Sequence, residues 1–110
     1  MILKDIKAYL INKLNLQTVY CEKPTSISGE TLVLSIKDER ESNHLRYVTI
    51  AVYCYADTKI DACILHEDVI DAMLSADLEK VSSVRFTSGT DDIDTSTKKY
   101  CFKTYFNLTL

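Results

Sequence analysis

The residues best equipped for metal or acid–base chemistry are Cys63, His66 and Glu67, which fall in one predicted helix. Cys63 and His66 lie about one helical turn apart, so they share a face and could supply two zinc ligands. The metalloprotease pattern His-Glu-x-x-His requires a second histidine at position 70, where this chain has Ile70. Only His44 and three scattered cysteines remain to complete such a site. We therefore predict a solvated histidine and a buried thiol, with no metal and no cofactor.

Other catalytic motifs do not fit the sequence. The chain has two glycines, Gly29 and Gly89, and one proline, so it cannot build a glycine-rich phosphate loop or a dinucleotide-binding fingerprint. No Gly-x-Ser-x-Gly nucleophile motif occurs. The carboxylates of the predicted second helix fit a solvated face better than an acid–base pair. These observations predict a protein that is not an enzyme.

One segment near the C-terminal end partly matches the RNA-stacking strand of the RRM domain. The basic position and the three aromatic positions of that motif coincide with Lys98, Tyr100, Phe102 and Tyr105. The two small positions of the motif hold Lys99 and Cys101, and the segment is the last predicted strand, where an RRM continues with a helix and a strand. A small α+β module that binds RNA or another ligand is therefore kept as the alternative function.

The overall charge argues against two classes of partner. The 110 residues carry a net charge of -3, and the pI is near 5.3. Nucleic-acid binding and attachment to anionic membranes both draw on positive charge. The longest apolar run, residues 50–56, is far shorter than the ~20 residues of a membrane helix. We expect one domain over 1–110, no membrane association and, since the N-terminal residues do not resemble a secretion signal, free buried thiols.

The first half of the chain predicts a helix followed by three strands. Apolar residues recur at helical spacing over residues 2–14. Residues 16–22 predict a short strand that Pro24 ends. Alternating residues 31–37 and the strongly β-prone residues 45–56 predict a hairpin, with residues 38–43 as its charged turn.

The second half predicts a helix followed by a second hairpin. Thr58 begins a helix that runs to about Ala76. Its predicted packed positions are Ile60, Cys63, Ile64, Ile70, Met73 and Leu74, and its predicted solvated positions are Asp61, Glu67, Asp68 and Asp71. A strand from residue 83, a polar tip over 88–97 and an alternating strand over 98–110 follow. The order α-β-β-β-α-β-β predicts an α+β fold, in which two helices pack on one face of an antiparallel sheet of four to five strands.

Two sets of residues are candidates for contacts with partners. Tyrosine combines an apolar ring with a polar hydroxyl, which suits protein–protein contacts, and the chain has seven tyrosines and no tryptophan. The candidates on the sheet face opposite the helices are Tyr47, Tyr53, Tyr55 and Tyr105. The candidates for an interface or a lumen loop at the second hairpin are Asp91, Asp92, Asp94, Lys98 and Lys99. Negative charge in a channel would keep passing DNA from sticking.

The order of these features resembles that of a family of phage proteins. An amphipathic N-terminal helix precedes a short strand and Pro24, and a hairpin ends in the run Val48–Ala56, which leads directly into a helix. A hairpin with an Asp-rich tip then closes the chain. This pattern is similar to the tail-terminator, or tail-completion, proteins of long-tailed bacteriophages and prophages, over nearly the whole chain.

The resemblance implies a structural role in the virion, with assembly in the cytoplasm of the host bacterium. Members of this family stop polymerisation of the tail tube by forming a hexameric ring on its head-proximal end, where they also meet the head connector. The implied partners are therefore further copies of the chain, the tail-tube protein and the connector proteins, with DNA only passing through the lumen. The resemblance assigns no individual functional residue.

Overall fold

The protein folds as two helices and one sheet. The computed structural model describes residues 2–16, 19–22, 24, 29–79, 81–94 and 99–110, with backbone alone for 91–94. The elements are α1 (Ile2–Leu14), β1 (Thr31–Ser42), β2 (Leu45–Ala56), α2 (Lys59–Leu74), β3 (Ser83–Asp94) and β4 (Lys99–Thr109). The four strands are antiparallel in the order β1-β2-β4-β3. The predicted α+β class is confirmed.

Both helices pack on the same face of the sheet. Alternate residues of β2 and β4, among them Ile50, Val52 and Phe106, are fully buried against Leu10 of α1 and Val69 of α2. Burying one such side chain stabilises the fold by about 1.5–3 kcal/mol. In the part of the chain that the structure describes, neither helix is long and apolar enough to cross a bilayer. The core therefore lies in one layer between the helices and one side of the sheet.

The first hairpin is longer than its sequence predicts. Strands β1 and β2 remain paired as far as Ser42 and Leu45, so the turn consists of Asn43 and His44 alone. Both have left-handed backbone conformations, with φ of 53° and 67°, which suit a tight two-residue turn between twisted strands. The predicted turn over 38–43 is thus wrong. Its charged residues stay in the ladder because they lie at an exposed strand end, where water solvates them.

The second hairpin is also extended. Strand β3 continues to Asp94, which pairs with Lys99, so residues 88–94 are strand where a polar tip is predicted. Polar residues are tolerated because β3 is an edge strand, and an edge strand needs no continuous apolar face. Residues 95–97 of the predicted tip and Lys98 lie outside the described residues.

The predicted short strand over 16–22 is not formed by its described residues, 16 and 19–22. Among these, only Tyr20 pairs with the sheet, through a parallel bridge to Val33. The Tyr20 amide donates to the Leu32 carbonyl at 2.9 Å, and the Leu34 amide donates to the Tyr20 carbonyl at 2.7 Å. Val19 is buried in the core, so the segment serves mainly to pack an apolar side chain beside β1. The element order is accordingly α-β-β-α-β-β, with four strands in the sheet.

The packed face of helix α2 matches the prediction only in part, since Met73 is buried as predicted and Ile70 is partly buried against the core. Its buried residues are Ala62, Leu65, Val69, Ala72 and Met73. Ile60, Ile64 and Leu74, predicted as packed, are 72%, 52% and 53% exposed. Apolar side chains lie all around this helix, so their spacing does not select one face. The small residues Ala62 and Ala72 let the helix approach the sheet closely, and this close approach selects the face.

Candidate functional site

The face of the sheet opposite the helices is the candidate functional site. We call it the open face, because the buried cluster on this side contains strand residues only, whereas both helices contribute to the core on the other side. By strand register, the open face consists of Thr31, Val33, Ser35, Lys37, Asp38, Arg40 and Ser42 of β1, Leu45, Tyr47, Thr49, Ala51, Tyr53 and Tyr55 of β2, Ser83, Arg85, Ser88, Thr90, Asp92 and Asp94 of β3, and Lys99, Cys101, Lys103, Tyr105, Asn107 and Thr109 of β4.

The four tyrosines predicted as sheet-face contacts all lie on the open face. Tyr47, Tyr53 and Tyr105 are partly exposed. Tyr55 is only 6% exposed and packs in a small apolar cluster with Val33 and other strand residues. Three of the four tyrosines therefore present surface to solvent, and Tyr55 supports them from within the face.

Cations lie over two of these aromatic rings. Lys37 Nζ is 5.2 Å from the centroid of the Tyr53 ring, and the Arg40 guanidinium carbon is 5.6 Å from that of Tyr47. Such contacts are attractive because the face of an aromatic ring carries partial negative charge. Hydrogen bonding to Tyr53 raises the pKa of Lys37 above its ordinary value, so Lys37 remains charged at neutral pH.

The open face carries an excess of positive charge. Its basic positions are Lys37, Arg40, Arg85, Lys99 and Lys103, and its acidic positions are Asp38 and, at the end of the sheet where β4 begins, Asp92 and Asp94. Asp57, the residue that follows β2, forms an ion pair with Lys99, so these two residues together add no net charge. The whole chain is acidic, at a net charge of -3. Positive charge is therefore concentrated, against the balance of the chain, on the part of this face that carries Lys37, Arg40, Arg85 and Lys103, which we call its basic part.

A β-bulge places Arg40 on the open face. The pairing of β1 with β2 shifts between Ile36 and Asp38, so Lys37 and Asp38 both face the open side and the alternation reverses beyond them. Strict alternation would instead put Arg40 on the side of Ile36, under the helices. Arg40 and Arg85 are not among the residues that the sequence predicts for the site, and no local feature of the sequence marks the bulge in β1.

The two arginines line a shallow groove of about 190 Å³ that crosses one end of the sheet. Tyr47, Thr49, Asn107 and Thr109 contribute to it as well, together with Asp38 and Ser83. The Thr49 hydroxyl donates to Asn107 Oδ1 at 2.7 Å, which fixes both side chains in the groove. A groove with two guanidinium groups and several hydroxyls is suited to carboxylates or other anionic groups.

The residues predicted as an interface or lumen loop are not all described. Asp91, Asp92 and Asp94 belong to β3, where Asp92 pairs with Cys101 and Asp94 with Lys99. Lys99 begins β4 and forms the ion pair with Asp57. Asp91, Asp92 and Asp94 are therefore strand residues and not residues of a loop, and their role at a lumen stays a prediction.

His66, the candidate chemical residue of the sequence, is a packed residue on the covered side of the sheet. Its ring stacks on Phe102 with centroids 4.8 Å apart, and its Nδ1 lies 2.6 Å from Thr104 Oγ1. The Thr104 hydroxyl, which is fully buried, also hydrogen-bonds the Cys54 thiol, and burial raises the pKa of that thiol. Burial therefore keeps this thiol protonated at neutral pH, beside the hydroxyl that contacts His66.

This packing bears on the predicted metal and RNA chemistry. Within the described ranges, no three His, Cys, Asp or Glu side chains are placed to hold a metal ion. All four cysteines are free thiols. Phe102, one of the aromatic positions shared with the RRM motif, lies under α2 against His66, whereas Tyr105 lies on the open face. The aromatic positions of that motif are therefore divided between the two sides of the sheet.

Comparisons with known proteins add no family to this picture. Neither a protein-family model nor a curated protein matches the sequence. The role of the open face is therefore argued from its own residues, their exposure and their charge.

Gly89 should not tolerate a side chain while His66 is in place. A Cβ atom at Gly89 would lie 2.7 Å from His66 Cε1, and the stack on Phe102 keeps that ring from moving away. We expect Gly89→Ala to lower the free energy of unfolding by about 1–3 kcal/mol, as overpacking does. In a His66→Ala background the same substitution should have a much smaller effect, which urea denaturation of the four variants would measure. Equal effects in both backgrounds would contradict the contact.

The stability of the protein should depend on pH through His66. Burial lowers the pKa of His66 below its ordinary value of 6.5, and the nearby Glu67 only partly offsets this. The unfolded chain therefore takes up a proton near pH 6.5 that the folded chain resists. The free energy of unfolding should consequently fall as the pH drops from about 7.5 to about 5.5.

Urea denaturation across this range would measure the effect, with two variants for comparison. His66→Gln should remove most of the pH dependence. His44→Asn is the matched control, because His44 is exposed in the β1–β2 turn and asparagine accepts its left-handed backbone. If the pH dependence of the free energy of unfolding remained in His66→Gln and disappeared in His44→Asn, the effect would belong to His44 and the prediction would be wrong.

Proposed function

We propose that this chain is a structural protein of a bacteriophage virion, which forms a ring on the head-proximal end of the tail tube and joins the tail to the head connector. The observation that carries the proposal is the open face. It is a broad sheet surface with partly exposed tyrosines and several basic residues that no described element of the same chain covers. Such a face is typical of a protein that acts through contacts with other proteins.

The size and composition of the open face support a protein partner. Strands of 11 and 12 residues in a sheet of four give a face of about 40 Å by about 19 Å. This is close to the ~800 Å² that each partner contributes to an interface of standard size. Tyrosine and arginine are also the residues that such interfaces favour. A face of this size is large enough for a stable contact with one neighbour in a ring.

The remaining support is the order of elements. A helix, a hairpin, a second helix and a second hairpin follow one another within 110 residues, as the resemblance to tail-terminator proteins leads one to expect. In this role the ring stops tube growth, contacts the tail-tube protein on one side and the connector proteins on the other, and lets DNA pass through its lumen. Activity then depends on the fit between copies, with no chemical step.

Capping of tail tubes is the direct test of this function. Purified protein added to growing tail tubes should stop their elongation and leave a ring at one end, which negative-stain electron microscopy would detect. Albumin at the same concentration is a control for non-specific adsorption. Tubes that keep elongating with bare ends in the presence of the protein would count decisively against the proposal.

A second candidate function is binding of single-stranded RNA, which the charge of the same face favours. Four basic residues beside partly exposed tyrosines are what a stacking and phosphate-binding surface requires. If RNA contacts all four cations, the logarithm of the affinity should fall with the logarithm of the salt concentration at a slope of about -3. Gel shifts with a single-stranded RNA at several salt concentrations would measure this slope, and no shift at low salt excludes this candidate.

A further inference from the structure

Helix α2 carries a stripe of exposed residues on the side directly opposite its buried face. We call it the outer stripe; it consists of Ile60, Ile64, Glu67, Asp68, Asp71 and Leu74. These residues are spaced three, four or one apart, so they form one continuous surface along the helix. All six are exposed. Because the buried face of α2 rests on the sheet, the outer stripe points away from the sheet and from the open face beyond it.

The outer stripe is unusual in exposing large apolar side chains. Ile60 is 72% exposed, Leu74 is 53% exposed and Ile64 is 52% exposed. A single exposed apolar residue needs no explanation, but three on one helix surface form a patch of the kind that partners cover. Three acidic residues lie between Ile64 and Leu74, and the stripe contains no basic residue.

The open face and the outer stripe are complementary in charge. The basic part of the open face carries Lys37, Arg40, Arg85 and Lys103 with one acidic residue, Asp38, whereas every charge in the outer stripe is negative. Two outer stripes placed together would oppose like charges. Pairing of the basic part of the open face with the outer stripe brings opposite charges together and covers the tyrosines and the isoleucines at once.

We propose that the open face of one copy of this chain binds the outer stripe of α2 of a second copy. The occupant fits the surface in size, since a 16-residue helix is about 24 Å long and the sheet is about 40 Å long. The three acids of the stripe face the cations of the open face, with the carboxylates directed to Lys37, Lys103 and the arginine-lined groove. The isoleucines pack against the partly exposed tyrosine rings.

This contact is head-to-tail, because it joins two different surfaces on opposite sides of the molecule. After one such contact, the first copy still has its outer stripe unoccupied and the second copy still has its open face unoccupied, so further copies can bind at both ends. The series closes into a ring where successive copies are rotated about a common axis. The inference rests on the proposed function in one respect, since it supplies the contact between neighbours of the proposed ring. A symmetric two-fold dimer is excluded by it.

Charge reversal on each surface separately tests the contact. The sheet variant is Lys37→Glu with Arg40→Glu, and the helix variant is Asp68→Lys with Asp71→Lys. All four residues are exposed, and lysine in the second half of α2 suits the helix dipole, so both variants should fold; circular dichroism and urea denaturation would verify this. The control variant, Lys4→Glu with Lys13→Glu, makes the same charge change as the sheet variant on exposed positions of α1.

Association measured by sedimentation velocity has a distinct expected pattern. The wild type and the control variant associate, and each reversed variant alone associates at least about 10-fold more weakly. An equimolar mixture of the sheet and helix variants regains association, because each variant then offers the surface that the other lacks. High salt weakens the wild-type contact.

Three results would overturn the proposal. The first is a wild-type protein that stays monomeric up to about 1 mM. The second is a helix variant that associates as well as the wild type, which would mean that the open face binds itself. The third is a mixture of the two variants that remains monomeric, which would mean that the two surfaces do not meet. Loss of RNA binding in the sheet variant with unchanged association would identify RNA as the occupant.

The same variants separate this inference from the proposed function. If the mixture regains association but the wild type does not cap tail tubes, the contact stands and the function in the tail is wrong. If the wild type caps tubes and both reversed variants cap them equally well, the function stands and the contact is wrong.

Discussion

The structure depends on how much of the sheet two helices can cover. A helix with its side chains is about 10 Å wide, so two helices side by side span roughly the ~19 Å width of four strands. The chain places both helices on one face, and no described element remains for the other. The side chains of the open face must therefore be compatible with water, and the strands that carry them must still keep their inter-strand hydrogen bonds. Threonine, asparagine, tyrosine and basic residues meet both conditions.

Two β-bulges connect this constraint to the chemistry of each face. The bulge in β1 reverses the alternation after Ile36 and directs Arg40 to the open face. The bulge in β3, between Phe86 and Ser88, reverses the alternation in the same way and brings Gly89 under His66 on the covered side. One bulge therefore adds charge to the exposed surface, and the other leaves room for an imidazole in the packed layer.

The sequence predicts the elements with strong, one-sided patterns and fails where several patterns compete. Helix α1 and both faces of β4 follow directly from apolar spacing, and the α+β class follows from them. The packed face of α2 does not, because Ile60 and Ile64 look like core residues when spacing alone is considered. The bulges, which decide where Arg40 lies, depend on pairing between strands and leave no local signal. The tyrosines of the candidate site could therefore be predicted from the sequence, whereas its arginines could not.

The distribution of charge matters more than its sum. A net charge of -3 argues against nucleic acid as a partner, but a partner meets the field of one face, and the open face is positive. The aromatic rings then distinguish the two kinds of partner. Lys37 and Arg40 already lie over the faces of Tyr53 and Tyr47, where a stacked base would have to lie. The tyrosines stay partly exposed, and their exposed parts are what a helix with carboxylates and isoleucines can contact.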